Sequence, residues 1–175
     1  GLGHRTEAEA AFARAEAANP DQPLAAFYRG MALFDLGDKD GAVAAYERCL
    51  TLDPNHVAAL RSLAHTLQSM RRFDDAERIA ARGLALSGGD PVLAAVKSDA
   101  ELRRGETDRA RQRLEGVSLA NASPVNAAMA LKALGDVRDA KGDHRGAWEA
   151  WSEANRRERD WALPAFANDE TPYSL

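Results

Sequence analysis

The sequence predicts an all-α fold, an α-solenoid of stacked helix pairs, and three observations carry that prediction. Hydrophobic residues make up 45% of the 175 residues, so a packed core is expected, whereas aromatic residues make up only 6%. The chain is rich in Ala, Leu, Arg and Glu, which lose little conformational freedom in helices. Small and large apolar residues also recur with a fixed period, which is typical of repeated structural units.

The period is 34 residues, and the last interval of 37 residues indicates a three-residue insertion before the final unit. Each unit is marked by an alanine, with a turn residue five positions before it and, in most units, a large residue such as Tyr46 or Trp151 four positions after it. The alanines are Ala8, Ala42, Ala76, Ala110 and Ala147, and the turn residues are Gly3, Gly37, Arg71, Gly105 and Gly142.

Helices are predicted in pairs between these markers. A lone second helix over 6–18 comes first, without its own first helix. Gly37 then gives a tight turn its backbone freedom, and Pro54 closes the first full pair, since proline is tolerated at a helix start but not inside a helix. The predicted pairs are 23–36 with 40–51, 57–70 with 74–86, 91–103 with 107–117, and 129–141 with 144–157.

The predicted array covers residues 1–157, and a short segment of different character follows it. Its units are a half repeat at 3–20 and full repeats at 23–56, 57–90, 91–124 and 128–160. After Arg157 the pattern stops, and Trp161, Pro164 and Phe166 are typical of a segment that folds back over the last pair. Because a solenoid needs a cover over its final stacking face, 158–175 is predicted to be a cap or linker.

Matching packing positions recur in the first and last full repeats. They are Gly30, Leu33, Gly37, Ala42, Tyr46 and Pro54, and Leu131, Leu134, Gly135, Gly142, Ala147, Trp151 and Ala154. With the 34-residue period, these positions resemble the tetratricopeptide-repeat family over about residues 3–157. The resemblance implies a right-handed superhelix of about four and a half repeats, which binds a protein or peptide in a concave groove lined by the first helices. The middle repeats depart from the pattern at Arg71, Gly83 and Glu101.

The resemblance predicts which residues line the groove. In the first full repeat the outward positions include Leu24 and Tyr28, and Phe27, Met31 and Phe34 have the i, i+4, i+7 spacing of one apolar stripe, the predicted anchor for a partner. The alternative is that a preceding segment of the parent chain covers this stripe. Further along, the predicted groove residues are polar: Arg61, His65, Gln68, Asp99, Arg103 and Lys132.

The charges of the predicted groove leave its ligand open. Arg61 and Arg103 are compatible with an acidic peptide, although ordinary solvated charges are the alternative. Family members that grip a C-terminal carboxylate use a clamp of Lys, Asn and Arg. Here Phe27 and Met31 stand at the places of the first Lys and Asn, so a receptor of that kind is not expected.

Several function classes are disfavoured by composition and spacing. The net charge is -4, with 23 basic and 27 acidic residues interspersed, so no nucleic-acid partner is expected. No apolar run approaches the roughly 20 residues of a membrane span, so no membrane insertion is expected, and the single Cys49 is compatible with the cytoplasm. His4, His56, His65 and His144 are too scattered for a metal site, and no phosphate loop or catalytic arrangement is recognisable. We therefore expect no metal, no cofactor and no catalytic residue in a binding scaffold.

A second, shorter resemblance suggests an alternative. Residues 134–148, continuing through Trp151 to Arg156, are similar to the last repeat of bacterial proteins in which tetratricopeptide repeats precede a sulfotransferase domain. This similarity implies that the region is a substrate-recruiting or regulatory arm of a larger enzyme, and other bacterial parents remain open. A further hypothesis is self-association through the uncovered half repeat at 3–20.

Overall fold

The computed structural model describes residues 2–167, with side chains for residue 4 and for 6–162, and this part of the chain contains nine α-helices and no strand. The all-α prediction is therefore confirmed. The helices are α1 (Leu2–Ala18), α2 (Pro23–Leu36), α3 (Lys39–Leu52), α4 (Val57–Ser69), α5 (Phe73–Ser87), α6 (Pro91–Arg103), α7 (Thr107–Glu115), α8 (Pro124–Ala140) and α9 (His144–Ala167).

The helices form consecutive pairs, as the sequence predicts. The first helices α2, α4, α6 and α8 pack against the second helices α3, α5, α7 and α9, and α1 packs on α2. Each first helix also contacts the next first helix, whereas the second helices of successive pairs do not contact one another within the described residues. Neighbouring pairs are therefore closer together on the side of the first helices.

The eighth helix begins earlier than predicted. Its predicted start was residue 129, but it begins at Pro124, where proline at the first helical position lacks only an N–H that would be unpaired anyway. The Ser123 hydroxyl caps the helix by accepting a hydrogen bond from the Asn126 N–H at 3.2 Å. In front of it, α7 ends at Glu115, so the longer last interval of the repeat falls in the connection around Gly116 and in the extended α8.

The predicted fold-back after Arg157 is wrong for the described residues. The last helix runs without a break to Ala167, so the predicted boundary at 158 falls inside α9. Glu153 accepts hydrogen bonds from Arg156 and Arg157, a spacing that supports a continuing helix. Trp161 is 61% exposed, which does not fit its predicted role as a cover. The side chain of Phe166 and residues 168–175 lie outside the described residues.

The core is the predicted stripe of small and large residues. Ala42, Ala76, Ala110 and Ala147 are all fully buried. The first helix and second helix of a pair approach closely at glycines: a Cβ added at Gly30 would lie 2.6 Å from Cε1 of Tyr46. At Gly135, in the last pair, a Cβ would overlap the Trp151 indole in the same way. A small residue under a large ring thus sets the spacing within these two pairs.

Glu101 stands at a position that is apolar in the preceding repeat, and there it forms an ion pair with Arg113. One period earlier the corresponding residue is Leu67, which is buried; Glu101 is equally buried and accepts two hydrogen bonds from the Arg113 guanidinium, at 2.6 and 3.1 Å. Arg113 itself corresponds to Ile79 of the preceding repeat. The departure at Glu101 is therefore compensated by a second departure on the facing helix.

The turn residue Arg71 adopts a conformation that favours glycine. Its φ is 63°, close to the values of 88° at Gly37, 75° at Gly105 and 79° at Gly142 in the equivalent turns. A left-handed backbone costs a residue with a Cβ roughly 1–2 kcal/mol. The fold thus retains this turn although the sequence lacks the glycine.

We predict that Arg71→Gly raises the free energy of unfolding by about 0.5–1 kcal/mol, because relief of the left-handed strain exceeds the extra freedom of glycine in the unfolded chain. The measurement is urea-induced unfolding followed by circular dichroism. The matched control is Gly105→Ala, whose new Cβ meets nothing within 4 Å. It is expected to lower the free energy of unfolding by about 1 kcal/mol. A less stable Arg71→Gly variant would contradict the interpretation.

For the buried ion pair, we predict that Arg113→Met lowers the free energy of unfolding by about 3 kcal/mol, because it leaves a buried carboxylate without its partner. The double variant Glu101→Leu with Arg113→Ile copies the preceding repeat and is expected to stay within about 1 kcal/mol of the wild type. Both are measured by urea unfolding. Equal losses in the single and double variants would show that the pair is not the cause.

Candidate partner-binding face

The first-helix face is defined here as the outward side of α2, α4, α6 and α8, where the predicted groove residues lie. Phe27 does not belong to its exposed part, so the prediction of Phe27 as an exposed anchor is wrong. Its ring is buried, with centroids 5.3 Å from Tyr28, 6.0 Å from Tyr46 and 5.0 Å from His56. The arrival of α4 beside α2 brings His56 over this ring, a contact that helical spacing within α2 does not reveal.

The other two predicted anchors do come together. Met31 is 44% exposed and Phe34 is half-buried, and both line a cleft of about 170 Å³ between α2 and α4. The Phe34 ring lies 5.5 Å from the ring of His65 on the neighbouring helix. The remaining lining residues are Asp35, Tyr46, Ser62 and Thr66. This cleft, named here the α2–α4 cleft, offers an apolar wall with a few polar groups at its edge.

Two exposed apolar residues extend this region along α2. Leu24 is 49% exposed and Tyr28 is 44% exposed, and with Met31 they repeat the i, i+4, i+7 spacing. The Tyr28 ring stacks on Phe12 of α1, with centroids 5.5 Å apart. Both residues lie on the predicted outward side, but the predicted anchor consisted of Phe27, Met31 and Phe34. The exposed stripe therefore consists of Leu24, Tyr28 and Met31, and it lies beside the predicted one on the helix surface.

The surroundings of His65 favour the neutral form of its imidazole. Burial lowers the pKa of His65, and the nearby positive charge of Lys39 lowers it further. Gln68 lies half-buried one turn further along the same helix. His65 and Gln68 therefore add hydrogen-bonding groups to the part of the face between Arg61 and the end of α4.

The predicted cations of the face all have partners within the chain. Arg61 pairs with Asp90 at 2.8 Å, and Lys132 pairs with Glu158 at 2.7 Å. Arg103 pairs with Asp99 at 2.9 Å, and its guanidinium also lies 3.6 Å from the centre of the Phe73 ring. These internal carboxylates compensate the charge of the three cations, so the face offers no net positive charge at these positions to attract an acidic peptide.

The α6–α8 end of the face is acidic. Burial raises the pKa of Asp136, and the neighbouring carboxylates of Asp99 and Asp139 add to that rise, while a hydrogen bond from the Trp151 indole N–H at 3.1 Å opposes it. Asp99 and Asp139 contact Arg103 and His144 respectively. Two neighbouring carboxylates that raise the pKa of Asp136 indicate a local negative potential, which favours a cationic group nearby.

The described side chains include no group of three or more His, Cys, Asp or Glu residues placed to hold a metal ion. The thiol of Cys49 is buried, and burial raises its pKa to about 11, which leaves it protonated and unreactive at pH 7. None of the helices in the described part is both long enough and apolar enough to cross a bilayer.

Comparison with known proteins supports the repeat assignment. Two family models, each described as tetratricopeptide repeat, match residues 1–57 and 33–100, which together span more than half of the chain. A search of curated protein sequences finds no significant match.

Solved structures share the fold at low sequence identity. MamA from Desulfovibrio magneticus RS-1 superposes with a TM-score of 0.68 at 20% identity, over 90% of this chain and 88% of that chain. TTC0263, a tetratricopeptide-repeat protein of Thermus thermophilus, superposes with a TM-score of 0.69 at 18% identity, over 94% of this chain and 89% of that chain. A structure of the Cut9–Hcn1 hetero-tetramer superposes with a TM-score of 0.74 at 14% identity, over 95% of this chain and 34% of that chain. The family models, the repeat and the solenoid fold agree: the chain belongs to the tetratricopeptide-repeat family.

Proposed function

We propose that the chain is a non-catalytic scaffold that binds a protein or peptide segment along its first-helix face. The family and the fold fit a protein-interaction role. The observation that carries the assignment to this face is the α2–α4 cleft, where Met31, Phe34 and His65 form an open apolar recess. The closer packing of first helices than of second helices supports a concave curvature on this side.

The chemistry of the face suggests the character of the segment. Its α2 end is apolar, with Met31 and Leu24 exposed, and its α6–α8 end is acidic around Asp136. Packed helices lie roughly 8–10 Å apart, so the α2–α4 cleft and α8 are separated by about 20 Å. An extended segment covers that distance in about six residues. We infer a ligand with a bulky apolar side chain at one end and Lys or Arg about six residues away.

Site-specific photo-crosslinking in cells that produce the chain tests the face directly. A photoreactive amino acid replaces Met31 on the first-helix face or, as a matched control, the exposed Ala81 on the second helix α5. We expect a discrete protein adduct from position 31 and none from position 81. Adducts from position 81 alone, or equal adducts from both positions, would contradict the assignment.

The partner recovered in this way allows a quantitative check. Met31→Lys places a charge at the mouth of the cleft and is expected to weaken binding of the purified partner at least tenfold, about 1.4 kcal/mol. Ala81→Lys adds the same charge at an exposed position of α5 and is expected to leave the dissociation constant unchanged. Unchanged binding by the Met31→Lys variant would remove the cleft from the binding site.

Three further predictions from the sequence are not tested by the structure and remain predictions. One is that the array serves as a recruiting or regulatory arm of a larger enzyme, such as a sulfotransferase, which rests on the similarity of residues 134–148. The others are self-association through the half repeat and a cytoplasmic location.

A further inference from the structure

A cleft lies between the second helices α3 and α5. The first helices of these two pairs, α2 and α4, contact each other, whereas α3 and α5 do not within the described residues. Leu63 and Leu67 of α4 therefore lie at the bottom of the gap between the two second helices, and both are almost completely buried. The gap, named here the α3–α5 cleft, has a volume of about 230 Å³.

The lining of the α3–α5 cleft combines an apolar floor with charged walls. Leu50 of α3 and Ile79 of α5, each 8% exposed, extend the floor that α4 provides. The walls carry three arginines and two carboxylates, which are Arg72, Arg78, Arg82, Glu47 and Asp75. The lining thus has one positive charge in excess, although the whole chain has a net charge of -4.

Two of the three arginines share one carboxylate. Asp75 accepts hydrogen bonds from Arg72 at 2.7 Å and from Arg78 at 3.0 Å. The hydrogen bond from Arg78, followed by that from Arg72, lowers the pKa of Asp75. Arg78 is 71% exposed and donates only through Nη2 within the described residues. One carboxylate cannot compensate two guanidinium charges, so Arg78 has donors available for a further acceptor.

The third arginine has no carboxylate partner within the described part of the chain. Arg82 donates a hydrogen bond to the backbone carbonyl of Pro54, and Arg48, one period earlier on α3, donates to the carbonyl of Pro20 at 2.8 Å. A carbonyl carries no net charge, so it positions the guanidinium without compensating its charge. On the first-helix face, by contrast, Arg61 is paired with a carboxylate. Acidic ligands are therefore attracted to the second helices rather than to the first.

Arg78 and Arg82 form one basic wall beside the apolar floor. They are four residues apart on α5, so they lie on the same side of that helix. A guanidinium group presents its N–H donors in a planar arrangement that matches the two oxygens of a carboxylate. The adjacent Leu50 and Ile79 offer contacts to CH₂ groups. The combination matches a side chain with an aliphatic stem and a carboxylate end, as glutamate has.

We propose that the α3–α5 cleft binds a glutamate side chain from an acidic segment of a partner protein. The CH₂ groups of the glutamate pack on Leu50 and Ile79, and its carboxylate accepts hydrogen bonds from Arg78 and Arg82. The exposed Arg48 on α3 attracts a further acidic residue of the same segment. This site lies on the second helices and is additional to the binding proposed for the first-helix face.

The cleft favours a short acidic segment over a nucleic-acid backbone. Glu47 and Asp75 stand in its lining, so a continuous row of phosphates would meet negative charges there. One period further along, the residues that correspond to Arg78 and Arg82 are Gln112 and Gly116. The basic wall therefore ends after one cleft and does not continue along the array, as a long polyanion would require.

The test uses a fluorescein-labelled peptide of about ten residues in which Glu alternates with Ala, so that its carboxylates lie on one side of the extended chain. The control peptide has Gln in place of Glu. Binding to the whole chain is followed by fluorescence anisotropy at low and at physiological salt. We expect saturable binding of the Glu peptide with a dissociation constant below about 1 mM, weaker binding at the higher salt, and no binding of the Gln peptide.

Matched variants separate the cleft from general charge effects. Arg78→Gln with Arg82→Gln is expected to weaken peptide binding at least about tenfold. Arg109→Gln with Arg111→Gln removes the same charge from exposed positions of α7 and is expected to change the dissociation constant less than about twofold. Glu47→Gln removes a negative charge from the lining and is expected to tighten binding about threefold, a gain that a folding defect cannot produce.

Several outcomes would overturn the proposal. They are absence of saturable binding, equal binding of the Gln peptide, an equal loss in the two arginine double variants, and no gain from Glu47→Gln. A loss in Arg61→Gln with Arg103→Gln that the α5 variant does not show would place the peptide on the first-helix face. Tighter binding of an oligothymidylate of the same charge, lost in the α5 variant, would assign the cleft to a phosphate backbone.

The cleft and the first-helix face are tested independently. Met31 lies on α2 and does not line the cleft, and Ala81 is also absent from the lining because it lies about 100° round α5 from Arg82. A negative result with the acidic peptide therefore leaves the crosslinking comparison of positions 31 and 81 unaffected. Failure of that comparison would likewise leave the peptide titration valid.

Discussion

The close approach of a glycine on one helix to a large ring on the next is the contact on which the arrangement of the first and last full pairs depends. At Gly30 and at Gly135 there is no room for a Cβ beside Tyr46 and Trp151. Because the rings fill the space that glycine leaves, the first helix and second helix of a pair are held in one register. Fully buried alanines such as Ala42 then allow helices to pack closely along the rest of the interface. The exposed faces of the molecule follow from this stacking, since each face is either covered by the next helix or left open at an end.

The same logic explains why binding surfaces lie where they do. A side chain at a given place in the repeat is buried in the middle of the array and exposed at the N-terminal end of the described residues, as Val96 and Tyr28 illustrate. The exposed apolar residues of α2 thus arise from the architecture, and their composition decides what they bind. The acidic surroundings of Asp136 and the internally paired arginines give the other end of the first-helix face a different chemistry. A single repeat pattern therefore carries two kinds of recognition surface.

The sequence predicted the period, the pairing and the buried alanines because a fixed spacing reports contacts that recur in every pair. It failed where one contact decides the outcome. Phe27 and Met31 share a helix, but ring contacts with Tyr46 and His56, which lie outside that helix, bury Phe27. The repeat pattern ends near Arg157 and carries no information about the next ten residues, through which α9 continues to Ala167. From the sequence, Glu101 is only a departure from the apolar pattern, because the arginine that compensates its charge lies on a different helix, twelve residues away.

A double-mutant cycle on Gly30 and Tyr46 tests the central contact most directly. Gly30→Leu overfills the space under the ring and is expected to cost about 1–3 kcal/mol of unfolding free energy. In the presence of Tyr46→Ala the same change has room, so urea unfolding should give a coupling energy of about 1–3 kcal/mol between the two positions. Losses that add to within about 0.5 kcal/mol would contradict the view that this glycine and this ring set the spacing of the pair.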